Sequence, residues 1–330
     1  MRLGLIAAAR ITERAIAEPA RELDDITLAV VGARDLDRAQ VAASNWNVER
    51  SVGSYEEVID SDDVDAVYIA TPNALHRKWA IDALRSGKHV LCEKPLASNA
   101  AEAREMVAVA EETGFILMEA FHWRYHPVVT QMQALLDAGV IGHIEGADAA
   151  FDLADGRIPM TDIRWNYSIA GGSLMDLGCY PVQWLRWLFG PTPEVVSATA
   201  VCPVERIDGR MDAELRWPDG RAATLSSSMI EMNGRNDIRL SIYGSEGTMI
   251  VKNPLAPQMG SSIIVERGST KVVHDVDSSA SYFHQLVAFH EAVRTGISPV
   301  TSGDDSIQTM DVIDAIYVAA GIGPRLALRQ

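Results

Sequence analysis

Two short stretches of the chain carry side chains able to move a proton and to stabilise a negative oxygen. In Val90-Leu91-Cys92-Glu93-Lys94-Pro95 an apolar run ends in a carboxylate, an ammonium and a proline that blocks further strand pairing. A partly desolvated ammonium at such a place serves as an electrophile or proton donor. The same residues also describe a solvated surface lysine at a strand end. The second stretch is Ala170-Gly171-Gly172-Ser173-Leu174-Met175-Asp176-Leu177-Gly178-Cys179-Tyr180-Pro181. Ser173 is placed to cap a helix running to Leu188, and Asp176 and Tyr180, four apart, fall on one face of it. A carboxylate beside a phenol is a proton-handling pair. An ordinary phenol, with a pKa of about 10, is too weak a base at neutral pH and needs a cation such as Lys94 nearby. A buried tyrosine with a satisfied hydroxyl is the plain alternative.

The surrounding pattern decides how such groups would be held. Residues 1–120 alternate strand-like runs at 3–6, 27–31, 66–70, 89–92 and 115–118 with helical patterns near 10–22, 36–46, 55–60, 74–86 and 98–113. This rhythm predicts an α/β unit with a parallel sheet covered on both faces, a dinucleotide-binding fold being the leading instance. Ligands of such sheets sit beyond the strand C-termini, which is where Lys94 falls.

The first turn, Gly4-Leu5-Ile6-Ala7-Ala8-Ala9-Arg10-Ile11, keeps one glycine and has Ala7 and Ala9 where two more are expected. Ala7 is expected at negative φ, with its methyl near the phosphates. The second strand ends in Val31-Gly32-Ala33-Arg34-Asp35. A small residue and a guanidinium at that tip suit a 2′-phosphate, so NADP is expected ahead of NAD; otherwise Arg34 simply opens the next helix. In Ala70-Thr71-Pro72-Asn73-Ala74-Leu75-His76, Pro72 stops a strand and Asn73 is placed to cap a helix, with His76 on the same side.

After residue 120 the texture changes. Glu119-Ala120-Phe121-His122-Trp123-Arg124-Tyr125-His126-Pro127 reads as a junction lining a cleft. His122 and His126 lack a third ligand at metal spacing, so no metal is expected. A helix near 128–138 precedes strand-like runs near 143–153, 194–203, 211–217, 221–231, 236–243, 247–251, 262–267 and 270–275. Asp219-Gly220 and Glu246-Gly247 mark hairpin turns among them, and helices near 281–295 and 303–320 close the chain. The expectation is a second, α+β domain with a large, mostly antiparallel open sheet, and a boundary that assigns 1–120 to the first domain and 121–330 to the second.

A formal charge of −16 leaves no basic surplus for nucleic acid. Three widely spaced cysteines form no CxxC pair, the N-terminus enters a strand at once, and no run of about 18 apolar residues occurs. A cytoplasmic protein without membrane or nucleic-acid partners is expected.

Together these pieces resemble the glucose–fructose oxidoreductase/inositol dehydrogenase (Gfo/Idh/MocA) family over nearly the whole chain. The resemblance is carried by Gly4…Ala9-Arg10-Ile11, Ala33-Arg34-Asp35, Ala70-Thr71-Pro72-Asn73…His76, Glu93-Lys94-Pro95, Glu119-Ala120-Phe121…Arg124…His126-Pro127, Ile163-Arg164-Trp165 and Gly171-Gly172…Asp176-Leu177-Gly178-Cys179-Tyr180-Pro181. Tyr180, where many members have histidine, is similar to the dihydrodiol and xylose dehydrogenase branch. The resemblance implies a Rossmann domain and a second domain whose open sheet often makes oligomer contacts, here a homodimer or homotetramer. It implies Lys94 as the central catalytic group, Tyr180 as proton acceptor or donor, and Asp176 orienting substrate. Ala8, Ala9, Arg10, Ile11, Arg34, Thr71, Pro72, Asn73, His76, Glu93, Lys94, Arg164 and Trp165 are the implied cofactor contacts. Trp123, Arg124 and Tyr282 are candidate substrate contacts. The implied activity is NADP-dependent hydride transfer at a CH–OH carbon of a sugar, cyclic polyol or vicinal diol. Ala7, normally glycine, is the departure, and it leaves a cofactor-holding sensor without turnover as the alternative.

Overall fold

The structure, a computed structural model, describes residues 1–231 and 234–327. The chain forms two compact units, Met1–Arg124 with Tyr282–Ile307, and Tyr125–Ser281 with Gln308–Leu326.

In the first unit, apolar runs become central strands. Leu3, Leu5, Ile6, Val30, Val31, Val67, Tyr68, Ile69, Val90 and Leu91 are all fully buried. Neighbouring residues on a strand point to opposite faces, so both faces of this sheet are covered, which is why the runs show no alternation. The strands are β1 (Arg2–Ile6), β2 (Thr27–Gly32), β3 (Arg50–Val52), β4 (Ala66–Ile69), β5 (His89–Cys92) and β6 (Leu117–Glu119). They pair in parallel in the order β3-β2-β1-β4-β5-β6. The order reverses between β1 and β4, and the crevice beyond their carboxyl ends is the ligand position of a doubly wound sheet. Asp35 caps helix Leu36–Trp46 by accepting from Asp37 N and Arg38 N; Asn99 caps helix Ala100–Thr113, which Gly114 ends at φ 73°.

The second unit is built on eight strands: β7 (Ile144–Ala154), β8 (Glu194–Val201), β9 (Arg210–Arg216), β10 (Ala222–Glu231), β11 (Asp237–Gly244), β12 (Gly247–Lys252), β13 (Ser262–Arg267) and β14 (Thr270–His274). Their order is β14-β13-β12-β11-β7-β10-β9-β8, antiparallel at every step except the parallel pair β7–β10. β9 shows the one-sided burial of such a sheet: Met211, Ala213 and Leu215 are buried, while Asp212, Glu214 and Arg210 are not. Helix Cys179–Phe189 covers the inner face of β7 and β10. Its buried Arg186 is satisfied by Pro191 O, Thr309 Oγ1 and Gln308 Oε1.

Three local expectations change, and one strand had not been expected. Residues 282–307 group with the first unit rather than the second, because the chain returns to β6: Glu119 N donates to Thr301 O, and Thr301 Oγ1 to Glu119 O. The short strand β3, polar and at the sheet edge, has no apolar run to announce it. Asn73 opens a 3-10 turn (Asn73–Leu75) with Pro72 at its cap position, instead of capping a helix through its side chain. Ser173 makes no capping bond; it is fully buried and turned toward Asp208.

Candidate active site

In the first unit, Lys94 follows β5 directly, half-buried on the carboxyl rim of the parallel sheet. Glu93 N donates to Ile69 O at 2.9 Å, so the β4–β5 ladder continues to the residue before the lysine. The Glu93 carboxylate is held from both sides, accepting from Tyr68 Oη at 2.7 Å and from Lys94 N at 3.3 Å. Tyr68 is fully buried. Burial first, and then the Glu93 charge, push its phenol well above the usual range, so it remains a donor. Buried Glu119 accepts from Leu96 N at 2.8 Å and fixes the far side of the loop.

His76 lies beneath this rim with no exposed surface. Its Nδ1 is 3.0 Å from Pro95 O and its Nε2 2.9 Å from Thr71 O, tying the lysine loop to the loop after β4. Two facing carbonyls favour a protonated ring, but burial outweighs them and holds the pKa near about 4. At neutral pH the ring is therefore uncharged, and it acts through the loops it joins.

The neighbouring turn holds Ala8, Ala9, Arg10 and Ile11 at the start of a helical run in three pieces, Arg10–Thr12, a π-helical turn Glu13–Ala17, and Glu18–Ala20. Ala9 stands at the cap position and makes no side-chain cap, and a helix start is where an anion is favoured. Ala7 is the main correction here. It adopts φ +85°, not the negative value expected of an alanine. The turn over-determines it, since Ala7 N donates to Gly32 O at 3.1 Å and the Ala7 carbonyl accepts from buried Thr12 Oγ1 at 3.5 Å. A left-handed alanine costs about 1–2 kcal/mol, and glycine recovers most of that after its larger chain entropy is charged. Ala7→Gly should raise unfolding stability by about 1 kcal/mol, read by denaturant titration; an unchanged or lower midpoint would show that the turn stores no strain.

Thr71 Oγ1, at the end of β4, is buried without a hydrogen-bond partner. Such an atom is costly unless a ligand satisfies it, and together with the uncapped helix start it fits a dinucleotide. Pro72 and Asn73 are half-buried beside it. Arg34 is exposed at the tip of β2, hydrogen-bonded to Tyr55. Burial raises the Tyr55 pKa, while Arg34 and Arg38 both draw it down, so two guanidinium groups converge there. Arg38 Nη2 also donates to Ala8 O at 3.4 Å. The sequence reading missed Arg38 and Tyr55; the Arg34–Arg38 spacing of four at a helix start was the available signal for the first.

In the second unit, Arg164 sits in a 3-10 turn, Ile163–Trp165, capped by Asp162. Arg164 Nε donates to Asp176 Oδ2 at 2.5 Å and Nη1 to Asp162 Oδ1 at 2.9 Å. Asp176 most strongly, then Asp162, raise the guanidinium's already high pKa. Trp165 is buried and its Nε1 donates to Ile158 O at 3.4 Å. Asp176 lies in a π-helical turn, Leu174–Gly178, and Tyr180 in the first turn of the α-helix that follows, so a regular α-helical spacing does not relate them. Tyr180 is 4% exposed, with its ring centroid 5.8 Å from Phe151 and 6.4 Å from Trp184.

Of the residues expected at substrate, Trp123 is fully buried. Arg124 is half-buried near the Trp123 ring, and Tyr282 stacks on His122 with centroids 4.0 Å apart. His126 caps helix Pro127–Asp137, its Nδ1 accepting from Val128 N and its Nε2 facing Ser279 O. Among the described residues no helix is long and apolar enough to cross a membrane.

Residues 1–121 match the oxidoreductase family with an NAD-binding Rossmann fold, and residues 129–250 match the GFO/IDH/MocA C-terminal domain. The chain therefore belongs to the Gfo/Idh/MocA family of oxidoreductases. It is 33% identical to a D-xylose 1-dehydrogenase (NADP(+)) of Haloferax volcanii over 99% of this chain and 100% of that one. It is 38% identical to the trans-1,2-dihydrobenzene-1,2-diol dehydrogenase of Mus musculus over 88% of each. A 3-ketoreductase from Actinomadura kijaniata, in complex with NADP and TDP-benzene, shares the structure with a TM-score of 0.89 at 29% identity, over 97% of each chain.

Proposed function

We propose that the protein is an NADP-dependent dehydrogenase/reductase acting at a CH–OH carbon of a sugar, cyclic polyol or vicinal diol. The observation that carries this reading is the rim of the parallel sheet, where the orphaned Thr71 Oγ1 and the Glu93-braced Lys94 follow adjacent strands. The similarity to sugar and diol dehydrogenases supports the substrate class. A bound nicotinamide supplies the hydride chemistry. Lys94 stabilises the alkoxide that develops as the hydroxyl proton leaves, Tyr180 exchanges that proton, and Asp176 orients the substrate hydroxyls. Arg34, with Arg38, holds the 2′-phosphate, while Ala8, Ala9, Arg10, Ile11, Thr71 and Asn73 bind the remainder of the dinucleotide.

Titration with NADPH followed by a panel of sugars, polyols and diols tests this. Absorbance of the reduced nicotinamide should change with at least one class of substrate. Tight binding with no hydride transfer to any of them would favour a sensor.

We also propose a homodimer or homotetramer in the cytoplasm. The outer face of the eight-stranded sheet supports the assembly, because its cleft of about 770 Å³ is lined by both signs of charge, including Arg210, Asp212, Glu214 and Arg239. The three cysteines are thiols, which suits a reducing compartment. Sedimentation equilibrium should return at least twice the 35.9 kDa chain mass; the monomer mass at micromolar concentration would remove the proposal.

A further inference from the structure

The second unit holds a buried carboxylate that the proposed chemistry does not use. Asp208, in the loop between β8 and β9, is fully buried. Its Oδ2 accepts from Leu174 N at 2.7 Å and Ser173 Oγ at 2.9 Å, and its own carbonyl accepts from Ser173 N at 2.7 Å. Its Oδ1 accepts from Tyr317 Oη at 3.0 Å and Arg325 Nη2 at 2.5 Å. Arg325 comes from the far end of the chain, and it too is buried. Its remaining N–H groups reach Gly171 O and Arg206 O, and its guanidinium lies 4.2 Å from the Tyr317 ring centroid.

This cluster grips one short segment from both ends. Gly172 has φ +130°, and a side chain there would collide with Asp208 and Arg325, so only glycine lets the loop close on the ion pair. Gly172 N donates to Arg164 O at 2.9 Å, and Gly172 O accepts from Asp176 N at 3.1 Å. The line Arg325–Asp208–Ser173/Leu174 therefore runs straight into the π-helical turn that carries Asp176 and leads to Tyr180. A π turn is a strained way to wind a helix and needs outside contacts to hold it. Buried ion pairs rarely justify themselves by stability alone, and specification of one geometry is their better-attested use.

We propose that Arg325 and Asp208 are positioning residues: a latch at the C-terminal end of the chain that fixes the winding of Leu174–Gly178 and, through it, the placement of Asp176 and Tyr180. The inference rests on the dehydrogenase reading of those two side chains. A displacement of about 1 Å in a reacting group costs on the order of 10²-fold in rate.

Arg325→Met, Arg325→Lys and Tyr180→Phe are compared with the parent for kcat, for KM of NADPH and substrate, and for fold by circular dichroism. The latch predicts that folded Arg325→Met loses about 10²-fold in kcat with KM for NADPH unchanged, and that Arg325→Lys restores most of it. A merely structural pair would lower the unfolding temperature and leave kcat of the folded protein intact, which overturns the proposal. Parental turnover in Arg325→Met beside a collapsed Tyr180→Phe sinks the latch and spares the dehydrogenase reading; parental turnover in Tyr180→Phe overturns both. Should Arg325→Met fail to fold, Tyr317→Phe, which removes one hydroxyl from Asp208, should lower kcat about 3–10-fold. Parental kcat there overturns the proposal equally.

Discussion

Lys94→Met is expected to lower kcat by about 10²–10³-fold on any substrate the parent reduces or oxidises. Methionine keeps the length and most of the apolar volume of lysine, and the hydrogen bonds of Tyr68 to Glu93, of Leu96 to Glu119 and of His76 to Pro95 O do not use the Lys94 ammonium. On the proposed chemistry, what disappears is the cation at the oxygen that becomes negative. Such an interaction is made chiefly in the transition state, so the loss should fall on kcat and leave cofactor affinity within a few-fold of the parent. Stopped-flow measurement of the hydride step, with NADPH binding followed by fluorescence, separates the two quantities. Unchanged turnover on a proven substrate would strip Lys94 of its proposed part.

The second large effect is one of cofactor choice. Arg34→Ala should weaken NADP by about 10–100-fold and NAD by less than about threefold. A hydrogen bond to a charged partner is worth about 1.5–3 kcal/mol, and only NADP carries the 2′-phosphate. Arg34 is exposed, so the loss should shrink as salt rises. Arg38, which acts on the same Tyr55 hydroxyl, leaves a second cation in place and sets the upper end of the range. Equal weakening of both cofactors, measured by calorimetry at fixed ionic strength, would remove Arg34 from the phosphate site.

The parallel strands were readable because a strand buried on both faces is apolar nearly throughout, and in Leu3–Ile6 and Val67–Ile69 the Tyr68 hydroxyl is the one polar side-chain group. Helices near 36–46 and 98–113 were readable from periodicity, and the structure shows what bounds them: Asp35 and Asn99 cap their starts and Gly114 ends the second at positive φ. Strand β3 was not, because three residues at a sheet edge bury too little to leave a pattern. Ala7 misled for a related reason: side-chain type gives a preference for negative φ, and the hydrogen bond to Gly32 O, from another strand, overrides it.

Sequence alone determined the fold class and the parallel sheet with its carboxyl rim, and its short motifs carried the family resemblance that proposes Lys94, Thr71, Arg34, Asp176 and Tyr180. The strands and turns depend on residues close together in the chain, whose pattern maps directly onto local structure, whereas the spacing of Asp176 and Tyr180 does not, because a π turn intervenes. Tertiary structure decided that His76 lies buried beneath the rim and that Arg164 closes on Asp176. It alone brought Arg325 to Asp208 across 117 residues of chain, because no local rule links two buried opposite charges until the fold has removed the water between them.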